Sequence, residues 1–203
     1  MNDAKIQFSP AEMELMNNSA FILTKNKVLL KVKTMLEGLQ EELLHTIYQR
    51  PDFSSHPFFQ ESPKISKGEN YLGLPYLVLD YPRMFDSLNI FAIRTMFWWG
   101  HFFSVTLHTS GVYKDDIIAV IQDRYAYLSQ HQFCIGVNED PWQHHFDEDN
   151  YLLIADIDEA QFRDYCSGSD HLKIAAQFPL WDANFVMDDL YESWKKLAQL
   201  TTI

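Results

Sequence analysis

Three groups of side chains in this sequence are of types that carry chemistry. The first is His144, His145, Asp147, Glu148 and Asp149, five metal-ligand types within six positions, with His101 and His108 as further imidazoles. Imidazole and carboxylate together suit zinc or divalent iron. Adjacent histidines on an extended loop point apart, however, and the helical His-x-x-x-His spacing is absent, so neither a metal nor another cofactor is expected. The second group centres on His108, an imidazole whose ordinary pKa lies near neutrality and which can serve as a general base. Strand alternation places it with Thr95, Trp99, Ser104 and Thr106, an aromatic and hydroxyl lining of the kind that small-molecule pockets use. The third is Asp80 and Arg83 at a strand end, where they would either bind a ligand or brace a turn through side-chain hydrogen bonds.

Other catalytic signatures are missing. Cys134 and Cys166 stand in no CxxC or metal spacing, and no histidine pattern beside them marks a nucleophile. There is no glycine-rich phosphate loop and no serine-centred nucleophile elbow. No reaction type is favoured, and whether the chain is an enzyme stays open.

The element that must position these groups is residues 89–111, NIFAIRTMFWWGHFFSVTLHTSG. Two runs of aromatic and β-branched residues flank Gly100, which reads as a β-hairpin at the centre of an antiparallel sheet. A two-residue turn, either Trp99-Gly100 or Gly100-His101, sorts the side chains onto two faces. One carries Ile90, Ala92, Arg94, Met96, Trp98, Phe103, Val105 and Leu107. The other carries Phe91, Ile93, Thr95, Phe97, Trp99, Phe102, Ser104, Thr106 and His108. Both are largely apolar, so both should be covered. Arg94 on such a face must be paired, and Asp80 is the expected partner.

The rest of the chain reads as follows. Ser9-Pro10-Ala11-Glu12 is a helix start with a capping box, for a short helix ending near Asn17-Asn18. A longer helix over about 24–48 presents Val28, Val32, Met35, Leu36, Leu39, Leu43 and Ile47 as one stripe. Its lysines come early (Lys25, Lys27, Lys31, Lys33) and its glutamates late (Glu37, Glu41, Glu42), against the helix dipole. Residues 50–63 form an irregular connection that can tuck Phe58 and Phe59 onto the core. A strand over 71–81 carries Gly73 and Pro75, which suggest a bulge or an edge, and ends in the polar turn 80–83. After the hairpin come a helix over 113–130, a strand over 132–137, a loop over 138–150 and a strand over 151–155. A helix capped by Asp158 runs to about Cys166, followed by a strand over 171–178. A final helix over 184–200 is expected to bury Phe185, Leu190, Trp194 and Leu197.

Length and composition bound the function. A chain of 203 residues that is 47% hydrophobic can bury a substantial core and reads as one domain, with a helical segment over about 9–48 and a sheet-containing body over about 64–203. No run approaches a membrane helix and the N-terminus lacks the order of a secretory signal, so the cytoplasm is the expected compartment. Residues 1–100 hold 11 acidic and 10 basic side chains, residues 101–203 hold 17 and 6, so nearly all of the net charge of −12 falls in the second half. That surface repels nucleic-acid backbones and does not suit anionic membranes. The expected fold class is α+β, with a mostly antiparallel sheet centred on the hairpin and packed by helices at both termini and between the later strands. The leading functional expectation is a non-catalytic binding or regulatory module whose acidic half meets a basic protein partner, with Trp142 as anchor. The alternative is a small molecule, bound or turned over, on the 91–108 face at Asp80, Arg83, Thr95, Trp99, Ser104, Thr106 and His108. Oligomeric state is not legible.

Overall fold

The structure is a computed structural model and describes residues 6–201. Its first helix, α1 (Pro10–Asn17), has the expected capping box: the Ser9 hydroxyl accepts from the Glu12 amide, and the Glu12 carboxylate accepts from the Ser9 amide at 2.6 Å. Helix α2 (Ser19–Gln49) starts earlier than the stripe alone suggests, because the Asn18 side chain caps it by accepting from the Phe21 amide. Leu29, Val32, Leu36, Leu39, Leu43 and Ile47 form its buried stripe. The 50–63 connection contains a short helix, α3 (Pro51–Ser54), and one 3₁₀ turn, Pro57–Phe59. Together they bury Phe53, Phe58 and Phe59, and the Phe58 ring stacks on Phe91 with centroids 3.7 Å apart.

Strand β1 (Lys64–Tyr71) is not foreseen in the sequence, because KISKGENY lacks an apolar face. It lies at the sheet edge, where charged residues discourage pairing with another chain. Leu72 and Gly73 both have positive φ (48° and 83°), as a tight hairpin turn between twisted strands requires. Gly73 therefore marks a turn rather than a bulge. Strand β2 (Leu74–Phe85) is internal, and it runs past the supposed turn at 80–83. There Asp80 pairs with Arg94 but Arg83 pairs with Ala92, so one extra residue bulges out at Tyr81-Pro82. Proline has no N–H to give a ladder, and a bulge tolerates it. The chain reverses later, where Asp86 Oδ1 accepts from the Leu88 and Asn89 amides.

Strands β3 (Ile90–Trp98) and β4 (Phe102–Ser110) form the central hairpin. Its turn holds three residues, Trp99, Gly100 and His101, with Gly100 at φ +78° and Trp98 paired to Phe102. The expected 113–130 helix is two helices, α4 (Val112–Gln122) and α5 (Tyr125–Gln130). The break turns α5 so that the Tyr125 hydroxyl donates to the Ile157 carbonyl at 2.7 Å. Then come β5 (Cys134–Gly136), β6 (Tyr151–Leu153), α6 (Glu159–Ser167), β7 (His171–Pro179) and α7 (Val186–Gln199). Phe185 precedes α7 and is exposed rather than part of its buried stripe.

All strand pairs are antiparallel, in the order β1-β2-β3-β4-β7-β5-β6, so the hairpin is central and the fold is α+β. One sheet face packs on α2, α4 and α7 through Leu79, Phe91, Ile93, Phe103, Val105, Leu107 and Ile174. No helix among the described residues is long and apolar enough to cross a membrane. Trp194 of α7 is fully buried against Phe53, Phe59 and Tyr81, and its indole donates to the Tyr81 carbonyl at the bulge, at 2.6 Å. Trp194→Ala should cost about 3–5 kcal/mol in urea unfolding. Trp194→Phe should cost about 1–3 kcal/mol, from the carbonyl left without its donor.

Candidate functional site

The turn length decides which residues share a face. With three residues in the turn, Arg94 lies opposite Thr106, Ala92 opposite His108 and Met96 opposite Ser104. The two-residue turn would have put Arg94 on the other side from these hydroxyls. Arg94 therefore joins Ser104, Thr106 and His108, and Thr95 and Trp99 leave them. Thr95 pairs with Leu79 and Val105 and is 1% exposed on the helix-packed face, and Trp99 packs edge-on against Phe97. The bulge in β2 returns Arg83 to the face of Asp80. Asp80, Arg83, Ser104, Thr106 and His108 are thus brought together, and Thr95 and Trp99 are not. Tyr71, Tyr151 and Lys173 complete this face without having been singled out. A lysine within the buried alternation of β7 was the available signal for Lys173.

The segment 137–150 folds over this face, whereas the 50–63 connection packs on the opposite one. The Tyr71 hydroxyl fixes it by accepting from the backbone amides of His144 (2.6 Å) and His145 (3.1 Å). Lys173 Nζ donates to the Gln143 carbonyl at 2.8 Å and to Asn150 Oδ1 at 3.3 Å, and Asn150 donates back to the His145 carbonyl. Phe146 stacks on Tyr151 and meets Phe102 edge-on, closing a small apolar cluster of Val78, Met96, Trp98 and Phe102. The face is filled.

At its centre Arg94 holds Asp80 through two hydrogen bonds, Nε to Oδ1 at 2.7 Å and Nη2 to Oδ2 at 2.9 Å, as the pairing argument requires. Its Nη1 lies 3.1 Å from His144 Nε2. Burial works against the Arg94 charge, but the Asp80 carboxylate outweighs it and holds the guanidinium above its ordinary pKa. His144 is pushed down to about 3 by burial and then by Arg94. His108, whose Nε2 has no hydrogen-bond partner among the described residues, is pushed to about 2 by burial and then by Lys173. Burial lowers Lys173 to about 8 and raises Cys134 to about 11 and Cys166 to about 12. Burial thus favours the neutral form of both imidazoles and of both thiols.

The two loop histidines do point apart. His144 faces Arg94, while His145 Nδ1 approaches Asp147 Oδ2 at 3.3 Å and Asp149 Oδ1 at 3.8 Å. One ligand atom from each of these three lies within 4.8 Å of the others. Both carboxylates are open to water, and His145 Nδ1 has no hydrogen-bond partner among the described residues.

Two open surfaces flank the filled face, with Trp142 on both. A cleft of about 320 Å³ is lined by Lys64, Arg83 and Arg94 against the single carboxylate of Asp80. A broader depression of about 1320 Å³ is lined by Asp86, Asp115, Glu139, Asp164 and Asp170, with Leu88 and Tyr165. Lys114 in this depression is buried and donates to the Ser169 carbonyl. Comparisons with protein-family models, curated proteins and solved structures return no match.

Arg94→Ala should destabilise the fold by about 3 kcal/mol in urea unfolding, the low end for orphaning a buried charge because the Arg94 side chain keeps 19% exposure. The double variant Asp80→Leu, Arg94→Met should recover much of that loss. Acid should also weaken the fold through the two buried imidazoles. His108 and His144 stay neutral when folded but gain protons near pH 6.5 when unfolded, so the unfolded state binds more protons below that pH. Their contribution is fully present above pH 6.5 and is lost as pH falls toward 3, by up to about 1.4 kcal/mol per pH unit for each imidazole. Unfolding measured between pH 7 and 5 should show this slope, and His108→Gln should reduce it.

Proposed function

We propose that this chain is a non-catalytic binding module that receives a basic protein segment in the acidic depression. The observation that carries this reading is convergence. Asp86 from the β2–β3 turn, Asp115 from α4, Glu139 from the covering segment, Asp164 from α6 and Asp170 before β7 all line one concavity. Of the adjacent acidic pairs in the second half, Asp115-Asp116 and Glu139-Asp140 each contribute one carboxylate there, whereas Asp188 and Asp189 open α7 instead. Like charges gathered around a concavity focus the field and speed the approach of a cation. Trp142 (47% exposed) and Leu88 (78% exposed) offer apolar contact within the same rim. An aromatic anchor inside a polar rim is where binding energy concentrates. The cytoplasm suits this module, since its two cysteines are free thiols.

A second reading rests on the cleft beside it. Three cations around one carboxylate, in a chain of net charge −12, suit a small anion. The hydroxyl and histidine face itself is filled, so a ligand would enter at Arg83 rather than at His108.

Lysine- and arginine-rich peptides passed over the immobilised chain separate the two. Their association rate should fall about tenfold between ~0.05 and ~0.5 M salt, as screening shortens the field. Trp142→Ala should speed dissociation about tenfold. Asp164→Asn with Asp170→Asn should slow association, whereas the same charge change at Asp188 and Asp189 should not. Peptide binding that ignores salt and Trp142 would remove this reading, and binding of inorganic phosphate that is lost in Arg83→Ala would favour the cleft.

A further inference from the structure

Helix α2 carries a second face that no other described residue of the protomer covers. Positions 23, 27, 30, 34, 37, 41, 44 and 48 alternate spacings of four and three and so share one face, a seam well away from the buried stripe that holds Leu23, Leu30, Leu44 and Tyr48 together with Lys27, Thr34, Glu37 and Glu41. Leu23, Leu30, Leu44 and Tyr48 on this seam are 59%, 63%, 39% and 85% exposed. Helix α1 before it buries no residue, and its Met13, Leu15 and Met16 are exposed as well.

The charges along the seam choose the occupant. The first half of α2 holds Lys25, Lys27, Lys31 and Lys33, and the second half holds Glu37, Glu41 and Glu42, an order that opposes the helix dipole. Lys25 is bridged to Glu69 and Lys33 to Glu37, but Lys27, Lys31 and Glu41 have no ionic partner among the described residues. A parallel copy would set lysine against lysine. An antiparallel copy sets each basic half against an acidic half, and one two-fold axis satisfies both ends at once.

Gly38 is the second observation. It sits exposed within a 31-residue helix, and a Cβ built there meets no atom within 4 Å. No described neighbour calls for glycine, the poorest helix former after proline. We propose that a second copy of this chain docks here, the two α2 helices crossing antiparallel near Thr34. Leu30 of each then enters the hole bounded by Thr34, Glu37, Gly38 and Glu41 of the other, and Lys27 meets Glu41. Glycine permits the close approach, and the exposed start of each α2 lies beside Leu44 and Tyr48 of its mate.

Sedimentation velocity of the full chain from ~1 to ~100 μM tests this, with circular dichroism to confirm folding. The wild type should be a dimer. Lys27→Glu and Glu41→Lys should each weaken it about tenfold or more, since symmetry places the repulsion at two contacts. The double reversal should restore it, and Gly38→Leu should abolish it. A monomer throughout that range overturns the proposal. So does a dimer indifferent to both single reversals, which would place the contact on another face.

Discussion

Asp80 and Arg94 face each other on adjacent strands at the edge of a covering loop, and much of that side of the molecule follows from keeping two largely buried charges satisfied. Desolvating such a pair costs several kcal/mol per ion, which attraction repays only when the remaining polar groups are also hydrogen-bonded. Asp80 takes Nε and Nη2 of the guanidinium, and His144 meets Nη1. His144 can do so because Tyr71, from the end of β1, holds two consecutive loop amides. The bulge one residue beyond Asp80 turns Tyr81 toward Trp194 and brings Arg83 back beside the pair. Edge strand, bulge and loop are therefore parts of one arrangement around a single ion pair.

What could be read from the sequence is what rests on local chemistry. The Ser9–Glu12 capping box, the α2 stripe, the Asp158 cap and the central hairpin each depend on residues a few positions apart. The Arg94–Asp80 pair was legible for another reason: a charge on an apolar strand face needs a partner, and one carboxylate stood at the end of the preceding strand. What failed depended on counting. One extra residue in the turn reverses the parity of β4 against β3, and Gly100 at positive φ serves a two- or a three-residue turn equally well. Asp80-Tyr81-Pro82-Arg83 has the composition of a turn, and only its register with β3 reveals a bulge. Strand β1 is polar because it is an edge, and polarity hid it.

The same correction reshapes the candidate chemistry. On the expected parity, His108 shared a face with Thr95 and Trp99 and stood away from Arg94. On the observed one it lies under the loop with Arg94 and Lys173, two cations that disfavour its protonation on top of burial. Burial beneath Trp142 and the loop thus favours the neutral imidazole. Trp142 stands where the loop ends and solvent begins, against His108 on one side and beside both open surfaces.

The position of the two exposed surfaces bears on how they would work together. Helix α2 belongs to the layer on one face of the sheet, while Trp142 rides on the segment covering the other face. A dimer built through the outward seam of α2 uses the N-terminal half of the chain, where acids and bases nearly balance. The strongly acidic half stays free. Two acidic bodies of this kind repel at long range, so association requires the local pairing of Lys27 with Glu41 and the packing of Leu30, both short-range and specific in register. The result would carry two depressions on one particle. Binding of a partner with two basic segments would then be intramolecular at the second step, at an effective concentration set by the span between them. On the proposed arrangement, the division of charge along the chain would match a division of labour: a balanced half that meets its own copy, and an acidic half left for a basic partner.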